Sequence, residues 1–236
     1  MASHIRVISS MATKLLLAEL AARFRQTSPH QVMSIDIESV GGVDAAKRVQ
    51  AGEAFDAVVL ASNAIEQLIA AGKIVAGSRV DLVKSGVAIA VRSGALRPDI
   101  ATEDAVKRAV SAARSIGYST GPSGVHLAGL FERWGIAADI KGRMVQAPPG
   151  VPVGSLVASG EIELGFQQLS ELIHLGGIDV LGPLPPAIQI ITTFSAGVSV
   201  TSMQTDKMRE TVRAMLDFMA SPAADRVKRN NGMEPA

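Results

Sequence analysis

The residues of this chain best placed to do chemistry are uncharged. Ser119, Thr120, Gly121, Pro122, Ser123 and Gly124 form an unbroken run of small residues. Ahead of it lies a short apolar segment ending in Ile116 and Tyr118. Behind it, Leu127, Leu130, Phe131 and Trp134 recur at 3/4 spacing. The pattern reads strand, turn, helix, with Gly135 as the helix stop. The first backbone N–H groups of a helix have no intrahelical partners and carry partial positive charge. Small residues let an anion approach them, and hydroxyls add hydrogen bonds. The chemistry on offer is therefore anion binding by dipoles. Ser123 reads equally as an ordinary N-cap.

Similar turns recur upstream. Residues 4–8 read as a strand, followed by Ser9 and Ser10. A helix over about 12–25 then faces Leu15, Leu16, Leu20 and Phe24 inward. Residues 32–38, V-M-S-I-D-I-E, alternate as a half-buried strand. Residues 39–42, with Gly41 and Gly42, make a tight turn before a helix at 43–50. The run F-D-A-V-V-L-A at 55–61 has the continuous apolar character of a central parallel strand. Ser62 and Asn63 then read as caps of a helix at 64–71. Right-handed crossovers put the N-termini of such helices along one sheet edge, and ligands bind outside the carboxyl ends of the strands. Ser9 and Ser10, Gly41 and Gly42, and Ser62 and Asn63 should therefore share a rim. None of these pairs is acidic, which suits an anion cradle.

The second half continues in kind. Strands are expected at 87–91, 116–118, 143–146, 162–167 and 178–181, and helices at 103–113, 153–159 and 169–173. Segments 188–194 and 197–200 should be extended. The strand at 162–167 runs into Gln167 and Gln168, at least one of which should reach a ligand. Met208, Val212, Met215, Leu216 and Met219 fall in helical register, and a last helix starts at Pro222. The resulting fold class is α/β with two lobes: residues 1–84 plus 194–236 in lobe I, and 85–193 in lobe II. The extended crossings at 84–91 and 191–198 would act as hinges, so that the lobes close over a ligand in a central cleft.

Composition narrows the function further. Of 236 residues, 47% are hydrophobic and only 3% aromatic, so the core must be aliphatic. A formal net charge of +1 and the scarcity of stacking aromatics argue against nucleic acid. There is no cysteine, and the four histidines lack H-x-x-x-H spacing, so neither a thiolate nucleophile nor a metal site is expected. Lys14 and Glu19 interrupt the apolar stretch at 11–22, which reads as an amphipathic helix rather than a signal segment. No window is apolar enough to insert in a membrane. The location would be periplasmic if an export signal has been removed, and cytoplasmic otherwise.

Several of these stretches carry a resemblance. R-V-I-S-S-M-A, Q-A-G-E-A-F-D-A-V-V-L-A, Y-S-T-G-P-S-G-V-H-L-A-G-L-F-E-R-W-G-I, V-A-S-G-E-I-E-L-G-F-Q-Q-L-S-E-L and the terminal S-P-A-A-D…G-M-E-P resemble the type II periplasmic-binding-protein family. The branch is that of the molybdate receptors of ABC transporters. The resemblance implies an oxyanion held by hydroxyls and backbone N–H groups at Ser9, Ser10, Gly41, Gly42, Ser123, Gly124 and Val125, and Met11 and Ser62 are further candidate contacts on the same rim. It also implies no cofactor, and an ABC transporter permease as partner if the protein is exported. The second turn, V-G-G-V, lacks the paired serines typical of molybdate binders. Phe-Gln-Gln stands at 166–168, where a pocket-closing Tyr is usual. Both departures favour a ligand that wants amide donors, such as a di- or tricarboxylate. The F-Q-Q-x-S-E-L stretch is also similar to the aconitate isomerase subgroup. That similarity implies cofactor-free allylic proton transfer; His126, the only His inside a site motif, is then the base to test first, and helix N-terminal amides with Gln167 and Gln168 would hold the carboxylates. The expectation is a binding protein for a small anion, with an isomerase on the same scaffold as the alternative.

Overall fold

Period-2 alternation makes the first strand two-sided. Ile5 and Val7 join one buried cluster while Ile8 joins another. The computed structural model describes residues 3–27, 32–202 and 206–236. In chain order its elements begin with β1 (Ser3–Ser10), α1 (Lys14–Thr27), β2 (Val32–Val40), α2 (Gly42–Gln50), β3 (Ala57–Ala61), α3 (Ser62–Ala70) and β4 (Val80–Arg92). They continue with α4 (Glu103–Ala112), β5 (Ile116–Tyr118), α5 (Pro122–Arg133), α6 (Ala137–Ile140), β6 (Met144–Gln146), α7 (Val153–Ser159), β7 (Leu164–Gln168) and α8 (Leu169–Leu172). The last are β8 (Ile178–Pro183), β9 (Ile191–Val198), α9 (Asp206–Ala220), α10 (Asp225–Asn230) and β10 (Glu234–Pro235). The chain forms two compact units, Met1–Lys84 with Thr193–Ala236, and Ser85–Thr192.

In the first unit, β1 lies between β2 and β3, parallel to both. β9 closes on β3 in antiparallel fashion, from Val198 opposite Ala57 to Phe194 opposite Ala61. One face of the sheet packs on α1, α9 and α10 through Leu16, Leu20, Phe24, Val212, Met215 and Val227. The other packs on α2 and α3 through Val49, Val58, Leu60 and Ile65. Leu15 is 48% exposed, not inward. A 3-10 turn at Met11–Thr13 precedes the helix and shifts its phase, so Leu17 and Ala21 fill the core instead.

In the second unit, β5 is parallel to β6 and β7. β7 and β8 each pair antiparallel with the later residues of β4. A cluster with Ile89, Val106, Leu127, Phe131 and Phe166 fills one face, and one with Ala88, Ala90, Val153, Val157 and Leu172 fills the other. β4 begins seven residues earlier than its apolar run suggests. Asp81, polar and in mid-segment, is held there by Ser195 Oγ at 2.6 Å and by Arg79. β10, with no sequence pattern of its own, forms by pairing Glu234 and Pro235 with Lys84 and Val83. Among the described residues no helix is long and apolar enough to cross a membrane.

Candidate anion-binding residues

The first unit gathers hydroxyls at the carboxyl end of β1. The parallel register sets Ser9 beside Ser39 and Ser10 beside Val40. Ser9 is fully buried, and its Oγ lies 2.8 Å from Ser39 Oγ. Ser10 is extended, and its Oγ accepts the Ala12 N–H at 3.4 Å, capping the 3-10 turn whose first residue is the half-buried Met11. Gly41 is the N-cap of α2, and its carbonyl accepts from Ala45 N–H. Its φ of −54° is open to any residue, so no tight left-handed turn exists here. Gly42 opens the helix against Ser10, where an added Cβ would sit 3.7 Å from Ser10 Oγ. Ser9, Ser39, Ser10 and Gly42 are thus brought together.

Ser62 departs from expectation. α3 starts at Ser62 itself, Ala61 is the N-cap, and no side chain caps the end. β3 runs straight into the helix, which leaves no turn for Ser62 and Asn63 to occupy. Arg48 bonds both Glu38 and Glu53, and its guanidinium holds both carboxyls below the usual range.

In the second unit, the expected cap Ser123 is the second residue of α5. Gly121 is the N-cap and Pro122 the first helical residue, a position that suits proline because its missing N–H would be unpaired anyway. Ser123 is buried, with its Oγ 3.3 Å from Ser119 Oγ. The N–H groups of Gly124 and Val125 both reach the Gly121 carbonyl, at 3.0 and 3.4 Å. Gly124 presses on the chain, since a Cβ there would lie 1.9 Å from the Ser119 carbonyl oxygen. Val125 is 71% exposed, and His126 is exposed beside it.

The two glutamines diverge, as neighbours on a strand must. Gln167 belongs to the α7 face. Its Oε1 accepts the Gly154 N–H at 3.1 Å and its Nε2 donates to Glu171 Oε1 at 2.8 Å. Burial pushes the Glu171 carboxyl up to about 7, against the opposing effect of the Gln167 amide. Gln168 follows Phe166 on the other face. Its Nε2 donates to Thr192 Oγ1 at 3.0 Å, while its Oε1 is buried without a partner. Ser85 Oγ and Ser170 Oγ share that condition among the described residues. Sequence reading did not single out Ser39, Glu171, Thr192, Ser85 or Ser170. Glu171 alone left a signal, standing four residues beyond Gln167. Among the described residues no group of three or more His, Cys, Asp or Glu is placed to hold a metal.

The chain matches the bacterial extracellular solute-binding protein family over residues 5–234. It belongs to that family. It is 36% identical to an aconitate isomerase of a Pseudomonas species, covering 98% of this chain and 87% of that enzyme. Its fold is shared with the periplasmic molybdate-binding protein of Azotobacter vinelandii, at TM-score 0.77 and 20% identity over 97% of this chain and 98% of that one. It is shared too with a sulfate-binding protein of Mycobacterium tuberculosis, at TM-score 0.75 and 14% identity over 99% and 87%. The α/β fold is therefore that of the type II periplasmic binding proteins, as the motifs implied.

Proposed function

We propose that this family member captures a small anion with hydroxyls and helix N-termini, and that the anion is a di- or tricarboxylate. The observation carrying the reading is the group formed by Ser9, Ser39, Ser10 and Gly42 at the carboxyl ends of β1 and β2. It offers hydroxyl donors, and Arg48, near the end of β2, is already held by two carboxylates. Ser119 and Ser123 supply a second pair at α5. The molybdate and sulfate binders of like fold support an anion as ligand. The 36% identity to an aconitate isomerase favours a carboxylate over a metal oxyanion. The family's extracellular description supports export, periplasmic action and delivery to an ABC transporter permease.

A thermal-shift panel of molybdate, tungstate, sulfate, citrate, cis- and trans-aconitate and tricarballylate tests this. A true ligand at a hundredfold excess over Kd adds about 2.7 kcal/mol of stability. A panel without any shift sinks the reading.

The 36% identity to an aconitate isomerase favours a second reading, an enzyme on the same scaffold. A base would take the proton from the carbon alpha to one carboxylate. The electron pair would shift through the allylic system, and the proton would return at its far end, leaving the formula unchanged. His126 is one candidate base. Glu171, with its carboxyl raised to about 7, is the other. Incubating cis-aconitate in deuterated water should yield deuterated trans isomer, and His126→Ala and Glu171→Gln variants separate the two bases. Absence of any trans product removes this reading.

A further inference from the structure

The second unit contains three buried polar atoms that the fold leaves without partners, and their residues stand at or just beyond the Val87–Gln168 end of the β4–β7 pair. Ser85 is 1% exposed, Gln168 4% and Ser170 7%. Val87 on β4 stands opposite Gln168 on β7. Ser85 precedes Val87 by two residues on the same face of β4, and Ser170 follows Gln168 by two, at the start of α8. Leaving a buried donor or acceptor unpaired costs about 1–3 kcal/mol. Three such costs at one end of one ladder indicate a position that something else completes.

The chemistry of the three groups selects the occupant. Both serine hydroxyls can donate and accept. Gln168 presents its carbonyl oxygen, a pure acceptor, because its Nε2 is held by Thr192 Oγ1. A carboxylate or sulfate oxygen would leave that carbonyl unsatisfied. An ammonium would want a carboxylate beside it, but Glu171 is bonded to Gln167, which points to the opposite face of β7. A group that both donates and accepts fits the whole set, and an organic hydroxyl is such a group.

We propose that Ser85, Gln168 and Ser170 form a buried seat for a hydroxyl group of the ligand, which makes hydroxy-carboxylic acids the preferred class. The inference rests on the carboxylate reading above and narrows it. A site built to bond a hydroxyl discriminates strongly against the analogue that lacks it, because its own polar atoms are then left unpaired.

The test is calorimetric titration of the intact protein with matched acids: citrate against tricarballylate, and malate against succinate. Each pair differs by one hydroxyl. The hydroxylated member should bind at least about tenfold more tightly. In the Ser85→Ala/Ser170→Ala double variant the ratio should fall toward one. The wild-type comparison stands by itself if that variant does not fold. Equal wild-type affinities within each pair overturn the seat while leaving the carboxylate reading intact. An unchanged ratio in the double variant also overturns it, and assigns these atoms to buried water alone. If none of the four acids binds, the carboxylate reading falls and the seat falls with it.

Discussion

The carboxyl ends of β1 and β2 in the first unit and the end of β7 in the second treat their polar groups in opposite ways. In the first, Ser9 meets Ser39, Ser10 caps a turn and Gly41 caps α2. Each of these groups has a partner before any ligand arrives, while the Ser10 hydroxyl, used there only as an acceptor, keeps a hydrogen to donate. At the end of β7, Gln167 is fully used but Gln168, Ser85 and Ser170 keep unpaired atoms in the interior. A saturated edge is held by its own fold and can present a rigid face. Unpaired buried groups cost stability when left alone and recover it when a partner binds them. The two regions should therefore answer differently to substitutions that look alike on paper.

The largest contrast is between two glycines at helix starts. At Gly124 an added methyl would sit 1.9 Å from the Ser119 carbonyl oxygen, a backbone atom that cannot turn aside. Gly124→Ala should cost about 3 kcal/mol or more, at the upper end of overpacking effects. Urea unfolding measures it, and a midpoint like wild type would show that the turn can yield to the methyl.

Glu171 gives the next effect. A carboxyl raised in the folded state binds its proton more tightly there than in the unfolded chain. Its contribution to stability is thus present below about pH 4.5 and lost as pH climbs to about 7. The loss is on the order of 3 kcal/mol. The carboxyls held low by Arg48, Glu38 and Glu53, act in the opposite direction at more acid pH. Glu171→Gln should flatten the decline between pH 5 and 7 in unfolding curves, on the order of 1 kcal/mol remaining at most. An unchanged slope would place the titration elsewhere.

Hydroxyl removal then separates the regions directly. Ser9→Ala breaks the bond to Ser39 inside the fold and should cost about 1 kcal/mol. Ser85→Ala and Ser170→Ala each remove an unpaired buried hydroxyl, so each should be neutral within about 0.5 kcal/mol or slightly stabilising in ligand-free protein. Equal costs at all three positions, measured by thermal unfolding, would erase the distinction between saturated and unsaturated regions.

Much of this was legible in the sequence because strands carry their burial pattern with them. β1, β2, β3, β5 and β7 showed as alternation or apolar runs, and their turns as clusters of Ser and Gly. What failed to show depends on distant partners. The start of β4 hides behind Asp81, which only Ser195 and Arg79 make tolerable. β10 exists only because β4 is there to pair with it. Local capping rules misplaced Ser62 and Ser123 by a residue or two, because nothing nearby in sequence says whether a helix starts at the cap or before it. Gln167 and Gln168 were visible as a pair. Which one would be saturated was not, since that hangs on Gly154, Glu171 and Thr192.

The smallest effect on stability carries the sharpest test of the first region. Gly42 has an ordinary helical conformation, and a methyl there would stand at a normal 3.7 Å from Ser10 Oγ. The fold has room for alanine, which also favours helix more than glycine does. Gly42→Ala should therefore change stability by less than about 1 kcal/mol, and toward a gain. If the glycine is there to admit a ligand to the start of α2 and to Ser10, the same methyl should weaken anion binding severalfold while unfolding is unmoved or improved. Calorimetry and thermal unfolding of the one variant decide it. A variant that binds as wild type means that the ligand does not approach α2 at this point. The saturated edge would then be a structural feature only, with the binding contacts left to α5 and the end of β7.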